Sequence, residues 1–313
     1  MHPVRSIRES VGALRGEGRG RVLIAIASGW GLLVGTRMSY PVLLPYIREA
    51  YGLSLSVAGL LVTIIWLGSA LGQLPGGVLA DRYNERYVMT AGLVVVAVAL
   101  SIVSLTGSVV VVFLATGLVG IGLSLYPIAR ITVLTDIFPD AVGSALGVTM
   151  ATGDTGQTVL PPIVGFLAAA VAWQLGLGVL VPAFLLLAGL VWVVVPDGDS
   201  AADRGLSLDR ARDVVSELRT RSMALVTVVL FFYILVWQSF TGFYPTYLHE
   251  VKGLSPSMAG TVFALFFAVG VVVKPVSGAA YDRFGMRVSL LAVLVGPVFG
   301  LPLVPFVGGL VPL

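Results

Sequence analysis

The sequence contains no cysteine, so disulfide frameworks, thiol catalysis and thiolate metal sites are excluded together. Histidine occurs only as His2 and His249, which leaves almost no material for an imidazole metal site or acid–base pair. Charge is also scarce. Asp, Glu, Lys and Arg make up 11% of the 313 residues, against about 25% in a soluble domain. Hydrophobic residues make up 57%. So little polar surface cannot coat a water-soluble globule of this length, and the chain reads as an integral membrane protein. No cofactor and no metal are expected.

What is present is a series of long apolar runs. They predict spans at 22–47, 56–79, 87–106, 109–133, 142–170, 173–195, 222–247, 256–280 and 288–310. Each approaches or exceeds the roughly 20 residues that cross about 30 Å of hydrocarbon. Short connections make them packed hairpins within an all-α, polytopic fold. Basic residues set the orientation. Arg5, Arg8, Arg15, Arg19 and Arg21 precede span one, and Arg82 and Arg86 follow span two. Arg204, Arg210, Arg212, Arg219 and Arg221 fill the connection after span six, and Arg283 and Arg287 follow span eight. All of these fall on one side, while only Arg48 and Lys252 fall on the other. The N-terminus is therefore expected in the cytoplasm, and the protein in the cell membrane. Val4, Ile7, Val11 and Leu14, and again Leu208, Ala211, Val215 and Leu218, have the spacing of a helix lying on headgroups. A solvated basic linker fits both stretches as well.

The chain repeats itself. Residues 46–59 align with residues 247–260 without a gap, at an offset of 201, with eight of fourteen positions identical. The same offset carries Gly77, Asp81, Arg82 and Arg86 onto Gly278, Asp282, Arg283 and Arg287. The matched residues are mostly Gly, Ser, Asp, Glu and Arg, so apolar composition does not explain them. Six spans lie before the connector, so both copies start on the same side, as a parallel repeat does. Residues 1–195 then form a six-helix bundle, 196–221 a cytoplasmic linker, and 222–313 a second unit of three helices. In each inner loop the glycine allows close helix approach, while Asp and Arg can cap helix ends and pair with neighbours. Such a loop can act as a conformational lock.

This loop resembles the signature of the major facilitator superfamily, Gly-x-x-x-Asp-Arg-x-Gly-Arg-Arg between spans two and three, echoed between eight and nine. Asn84 stands at the second glycine, and Glu85 at a basic position. The resemblance implies alternating access, in which two six-helix halves rock around a central site. Twelve spans are usual in that family. Carrying the end of span six forward by the offset places the end of the second half near residue 396, yet the sequence stops at Leu313. A fragment is the favoured reading, and a degenerate transporter that needs a partner is the other.

Four ionisable residues lie well inside spans: Arg37, Arg130, Asp154 and Lys274. Each costs roughly 2.5–3.5 kcal/mol at a lipid-facing helix centre, so each is expected to face the bundle interior. Arg37 has Gln238 as its repeat counterpart, and in the resembled fold spans one and seven face each other. Arg37, Tyr40, Trp237, Gln238 and Thr241 are therefore candidates for substrate contact, with the guanidinium suited to a carboxylate, phosphate or sulfate. The competing reading pairs Arg37 with Asp154 as a structural bridge. Asp154, in Gly153-Asp154-Thr155-Gly156-Gln157-Thr158, is a candidate coupling-proton carrier or a static partner of Arg37 or Arg130. Arg130, near the inner end of span four, suits a conformational lock. Gly68, Gly72 and Gly76 form a small-residue packing face. Gly156, Pro161 and Gly165 half-match the family's antiporter motif, with Leu160 and Val164 at two of its glycine positions. The expectation is a proton-coupled carrier of a small organic anion in the lipid bilayer. The alternatives are a drug or metabolite exporter of the same superfamily and a non-transporting membrane partner; an enzyme is not expected.

Overall fold

The computed structural model describes residues 18–139, 141–197 and 220–269, with a few helical positions between 291 and 302. The two amphipathic stretches, Lys274, Gly278, Asp282, Arg283, Arg287 and most of the ninth span lie outside the described residues. Among the described residues up to 269, nine helices follow in order: α1 Arg19–Tyr51, α2 Leu55–Arg82, α3 Glu85–Leu105, α4 Val109–Ile137, α5 Val142–Ala170, α6 Trp173–Gly178, α7 Leu180–Val194, α8 Arg221–Glu250 and α9 Pro256–Val269. The first seven expected spans reappear within about one helical turn of their predicted limits. Span six is divided into α6 and α7 with only Val179 between them, itself helical in φ and ψ.

Among the described residues, six spans qualify as membrane-crossing by length and composition: α1, the first part of α2, α3, α4, α6 with α7, and α8. The 29-residue α5 is long enough but is not among them. The difference has a local cause. Its polar run lowers the hydropathy, and the hydroxyls of Thr155 and Thr158 are satisfied along the helix, donating to the carbonyls of Ala151 and Asp154 at 2.9 Å.

The repeated Gly-Leu-Ser has a definite structural job. Gly52 ends α1 in the left-handed region at φ 62°, and Gly253 follows α8 at φ 72°. Ser54 accepts from the Val57 amide to start α2, and Ser255 accepts from the Met258 amide to start α9. Glycine tolerates the left-handed turn, and serine supplies an acceptor for an orphan N–H. Each copy is a stop followed by a start, at the turn of a hairpin.

Packing follows the small residues. Helix α1 lies along α5, α2 along α4, and α3 against α4 and α7. A Cβ on Gly156 would overlap the Gly31 carbonyl, and one on Gly31 would come within 2.8 Å of the Thr152 carbonyl oxygen. Gly68 and Gly72 are closed off in the same way by Gly117 and Ser124 of α4, as their spacing predicted. Gly77 differs: a Cβ there would sit 3.6 Å from Ile128, an ordinary contact. The close approach expected of Gly77 is thus made one to two turns earlier, where α2 crosses α4. The main core runs through α1–α7, and a second cluster joins Met38 and Val42 of α1 to Phe263 and Phe267 of α9.

Candidate solute site

The second cluster surrounds the intramembrane arginine. The Arg37 guanidinium carbon lies 4.1 Å from the centre of the Trp66 ring on α2. Trp66, Trp237, Tyr244 and Phe266 all pack against the Met38, Val42, Phe263 and Phe267 group. Trp237 lies 5.5 Å from Phe266 and 6.3 Å from Phe267. Four helices, α1, α2, α8 and α9, thus converge beside one cation. Arg37 is half-buried, and its Nε has no hydrogen-bond partner among the described residues.

The expected partners stand as follows. Arg37 forms no ion pair with Asp154 among the described residues, which removes the simple structural bridge. Asp154 accepts from Gln157 at 3.3 Å on its own helix. Gln238 is half-buried on α8 and makes no hydrogen bond to Arg37; its Oε1 lies 3.5 Å from the Thr241 hydroxyl, which also donates to the Trp237 carbonyl at 2.9 Å. The facing polar pair is therefore not in direct contact. Tyr40 has no accessible surface and belongs to the main core, its hydroxyl beside Thr116 of α4. Three residues from Arg37, its side chain is packed into the first bundle.

Prolines add polarity at this level. Pro41, Pro161, Pro162 and Pro245 lie inside α1, α5 and α8. A proline lacks the N–H that would bond the carbonyl four residues earlier. Arg37, Gln157, Thr158 and Thr241 therefore carry carbonyls without their helical donor. A proline four residues after a polar residue was the legible signal for this, whereas Trp66 had none beyond a mid-helix aromatic.

At the inner loop only Tyr83 and Asn84 separate α2 from α3, as a tight connection requires. Asn84 caps α3 by accepting from the Arg86 amide at 2.9 Å, and its amide donates to Asp197 at 3.2 Å. Arg86 donates to the same Asp197 carboxylate at 2.6 Å and lies 4.8 Å over Trp192. The asparagine at the signature's glycine position thus works as a cap and a tether. Asp197, just after α7, went unread in the sequence although it follows a span whose inner end adjoins a basic loop. This clasp ties the loop to the end of α7. The side chains of Asp81 and Arg82 are outside the described residues. Arg130 is buried among α1, α4 and α5, stacked 4.0 Å over Trp30 and donating to Thr149 at 3.0 Å.

At the opposite end of the bundle Arg48, at the end of α1, pairs with Glu250, at the end of α8. Arg48 Nε also donates to the Leu53 carbonyl at 3.2 Å, so the guanidinium is held by its own turn. Below this pair, Gly59 and Val62 of α2 meet Phe243 and Gly242 of α8, and Val42 meets Gly260 of α9. The N-terminal half of α8, from Leu225 to Val236, is exposed throughout. Among the described residues, contact between α8 and the preceding bundle is made by its C-terminal half.

A sequence profile of the Major Facilitator Superfamily matches residues 25–312. The chain belongs to that superfamily. It is 30% identical over 280 residues to "Probable nitrate/nitrite antiporter NarK1" of Thermus thermophilus, covering 85% of this chain and 62% of that protein. It is 28% identical over 278 residues to "Probable sulfoacetate transporter SauU" of Cupriavidus necator, covering 84% and 64%. The chain thus spans somewhat under two thirds of the length of these relatives. Among solved structures it resembles a bacterial homologue of the human lysosomal transporter Spinster, with a TM-score of 0.73 at 20% identity, over 86% of this chain and 64% of that one. The superfamily match accords with the all-α, multi-pass membrane fold described above.

Proposed function

We propose that this protein is a secondary transporter for small organic anions, working by alternating access between a first bundle (residues 1–195) and a second unit (222–313) joined by a cytoplasmic linker (196–221). The carrying observation is Arg37: an intramembrane guanidinium, half-buried, without an acidic partner among the described residues, at the junction of four helices. A lone charge at that depth is expensive unless something neutralises it. A carboxylate or sulfonate does so with two parallel hydrogen bonds, while Trp66 holds the guanidinium plane. Trp237, Gln238 and Thr241 border the solute, and the unbonded carbonyls of Arg37 and Thr241 accept from its hydroxyl or amide groups. Tyr40 contributes from behind by fixing α1. The relatives' names, a nitrate/nitrite antiporter and a sulfoacetate transporter, support an anion as the cargo.

On this reading the packing is taken as that of a carrier closed outside and open inside. Arg48–Glu250 and the α2–α8 contacts seal the outer end, and the inner half of α8 stands apart. The basic residues put that open side in the cytoplasm of a cell whose plasma membrane holds the protein. Asp154 is the coupling group for a proton, and Gly77, Asp81, Arg82 and Arg86, with Gly278, Asp282, Arg283 and Arg287, act as the inner lock. Proton symport is the first reading. Exchange of one anion for another is the second, favoured by the antiporter relative and the half-matched motif of α5.

The test is uptake of sulfoacetate into proteoliposomes under an imposed pH gradient, with exchange measured by loading the same anion inside. Saturable uptake abolished by Arg37→Ala supports the reading. Transport unchanged by that substitution removes the anion site, and uptake indifferent to the gradient removes proton coupling.

A further inference from the structure

Arg130 has surroundings that a lock between the two halves does not need. Every described neighbour lies in the first bundle. Its side chain is only 3% exposed, one face covers Trp30 at 4.0 Å, and Nη1 donates to Thr149 at 3.0 Å. The Thr149 hydroxyl spends its own proton on the Leu146 carbonyl at 2.8 Å, so it presents only a lone pair to the arginine. Arg130 Nε has no partner. No carboxylate bonds to this guanidinium among the described residues. A cation withdrawn from water without a counter-charge is strongly destabilising, and an aromatic face offsets only part of that. The unused Nε–Nη2 edge is the one whose two parallel donors match a carboxylate or sulfonate.

Depth separates this group from Arg37. Arg130 and Thr149 each lie about 10 Å from the inner ends of α4 and α5, whereas Arg37 lies about 27 Å from the inner end of α1. Trp30 precedes Arg37 by two turns on nearly the same face of α1, so α1 borders both groups. We propose that Arg130, Thr149 and Trp30 form a second anion station on the inner side of Arg37, which receives the carboxylate or sulfonate of the same solute as it leaves toward the cytoplasm. This station rests on the anion reading above, and its test keeps the two apart.

The protein has five tryptophans, so single-tryptophan versions can be made by changing the others to Phe. One version keeps Trp30 as a reporter for Arg130, and another keeps Trp66 as a reporter for Arg37. Each is titrated with sulfoacetate in detergent, with glucose as the uncharged control. The expected result is a saturable emission change in both. In the Trp30 version, Arg130→Gln weakens the apparent affinity about tenfold or more, because a charge-assisted bidentate contact is lost. Thr149→Val weakens it by about threefold through loss of the oriented guanidinium, and it carries the test if Arg130→Gln does not remain monodisperse. A Trp66 response without a Trp30 response overturns the second station and leaves the first standing. So does a Trp30 response that neither substitution changes. Silence in both reporters defeats the anion reading itself.

Discussion

Neutralising Glu250 is expected to loosen the outer seal by an amount that the structure bounds. Arg48 and Glu250 join the ends of α1 and α8, and their side chains are 34% and 33% exposed. Water and salt therefore screen much of the attraction, and such a pair contributes about 0.2–1 kcal/mol. Arg48 sits in the upper part of that range because its Nε is already held by the Leu53 carbonyl, so less side-chain freedom remains to be lost. Through the Boltzmann factor, about 0.5–1 kcal/mol changes the ratio of outer-open to outer-closed protein by roughly two- to fivefold. The chain lacks cysteine, so labels at Ala50→Cys and Val251→Cys, both exposed, report their separation without background. Pulsed electron–electron distance measurement in nanodiscs then counts the two populations. Glu250→Gln is expected to raise the long-distance fraction, Arg48→Glu to raise it further by placing two carboxylates together, and the exchange Arg48→Glu with Glu250→Arg to bring it back. A double-mutant coupling indistinguishable from zero, or an exchange that restores nothing, would refute the seal.

Four other outcomes follow from the same geometry. Gly156→Leu is expected to prevent a monodisperse protein, because its side chain would enter the Gly31 backbone, and overpacking of this kind costs about 1–3 kcal/mol or more. Gly77→Ala is expected to shift the thermal midpoint little, since its Cβ has room beside Ile128. Asn84→Ala removes the cap of α3 and its tether to Asp197, lowering stability by about 1 kcal/mol in thermal unfolding, with Asp197→Asn releasing Arg86 as well. Asp154→Asn is expected to abolish accumulation driven by a pH gradient while sparing one-for-one anion exchange; equal loss of both would assign Asp154 to structure.

Much of the architecture was legible before any coordinates, because crossing hydrocarbon imposes a length and an apolar composition on each span. The polar residues retained in such a chain stand out, which is why Arg37, Asp154 and the repeated loop were found at once. Gly-Leu-Ser recurred because a left-handed stop and a serine cap are requirements of one short turn, readable from a few neighbouring residues. Contacts between distant segments were another matter. The sequence placed Arg37 and Gln238 opposite each other but held no information on the distance between their heads, and the structure leaves them apart with Trp66 against the guanidinium. Tyr40 shares a helix face with Arg37 by residue count, yet side-chain direction turns it into the core. Gly77 is the conspicuous glycine of its motif, but the crossing of α2 and α4 falls at Gly68 and Gly72. Periodicity and composition act along one helix, so the sequence by itself determined the spans, the repeat, the membrane setting and which charges must be sheltered. Only the tertiary structure decided which helices meet, that Arg37 and Arg130 each rest on a tryptophan with no acid bonded to them among the described residues, and that Arg48 and Glu250 join the ends of α1 and α8.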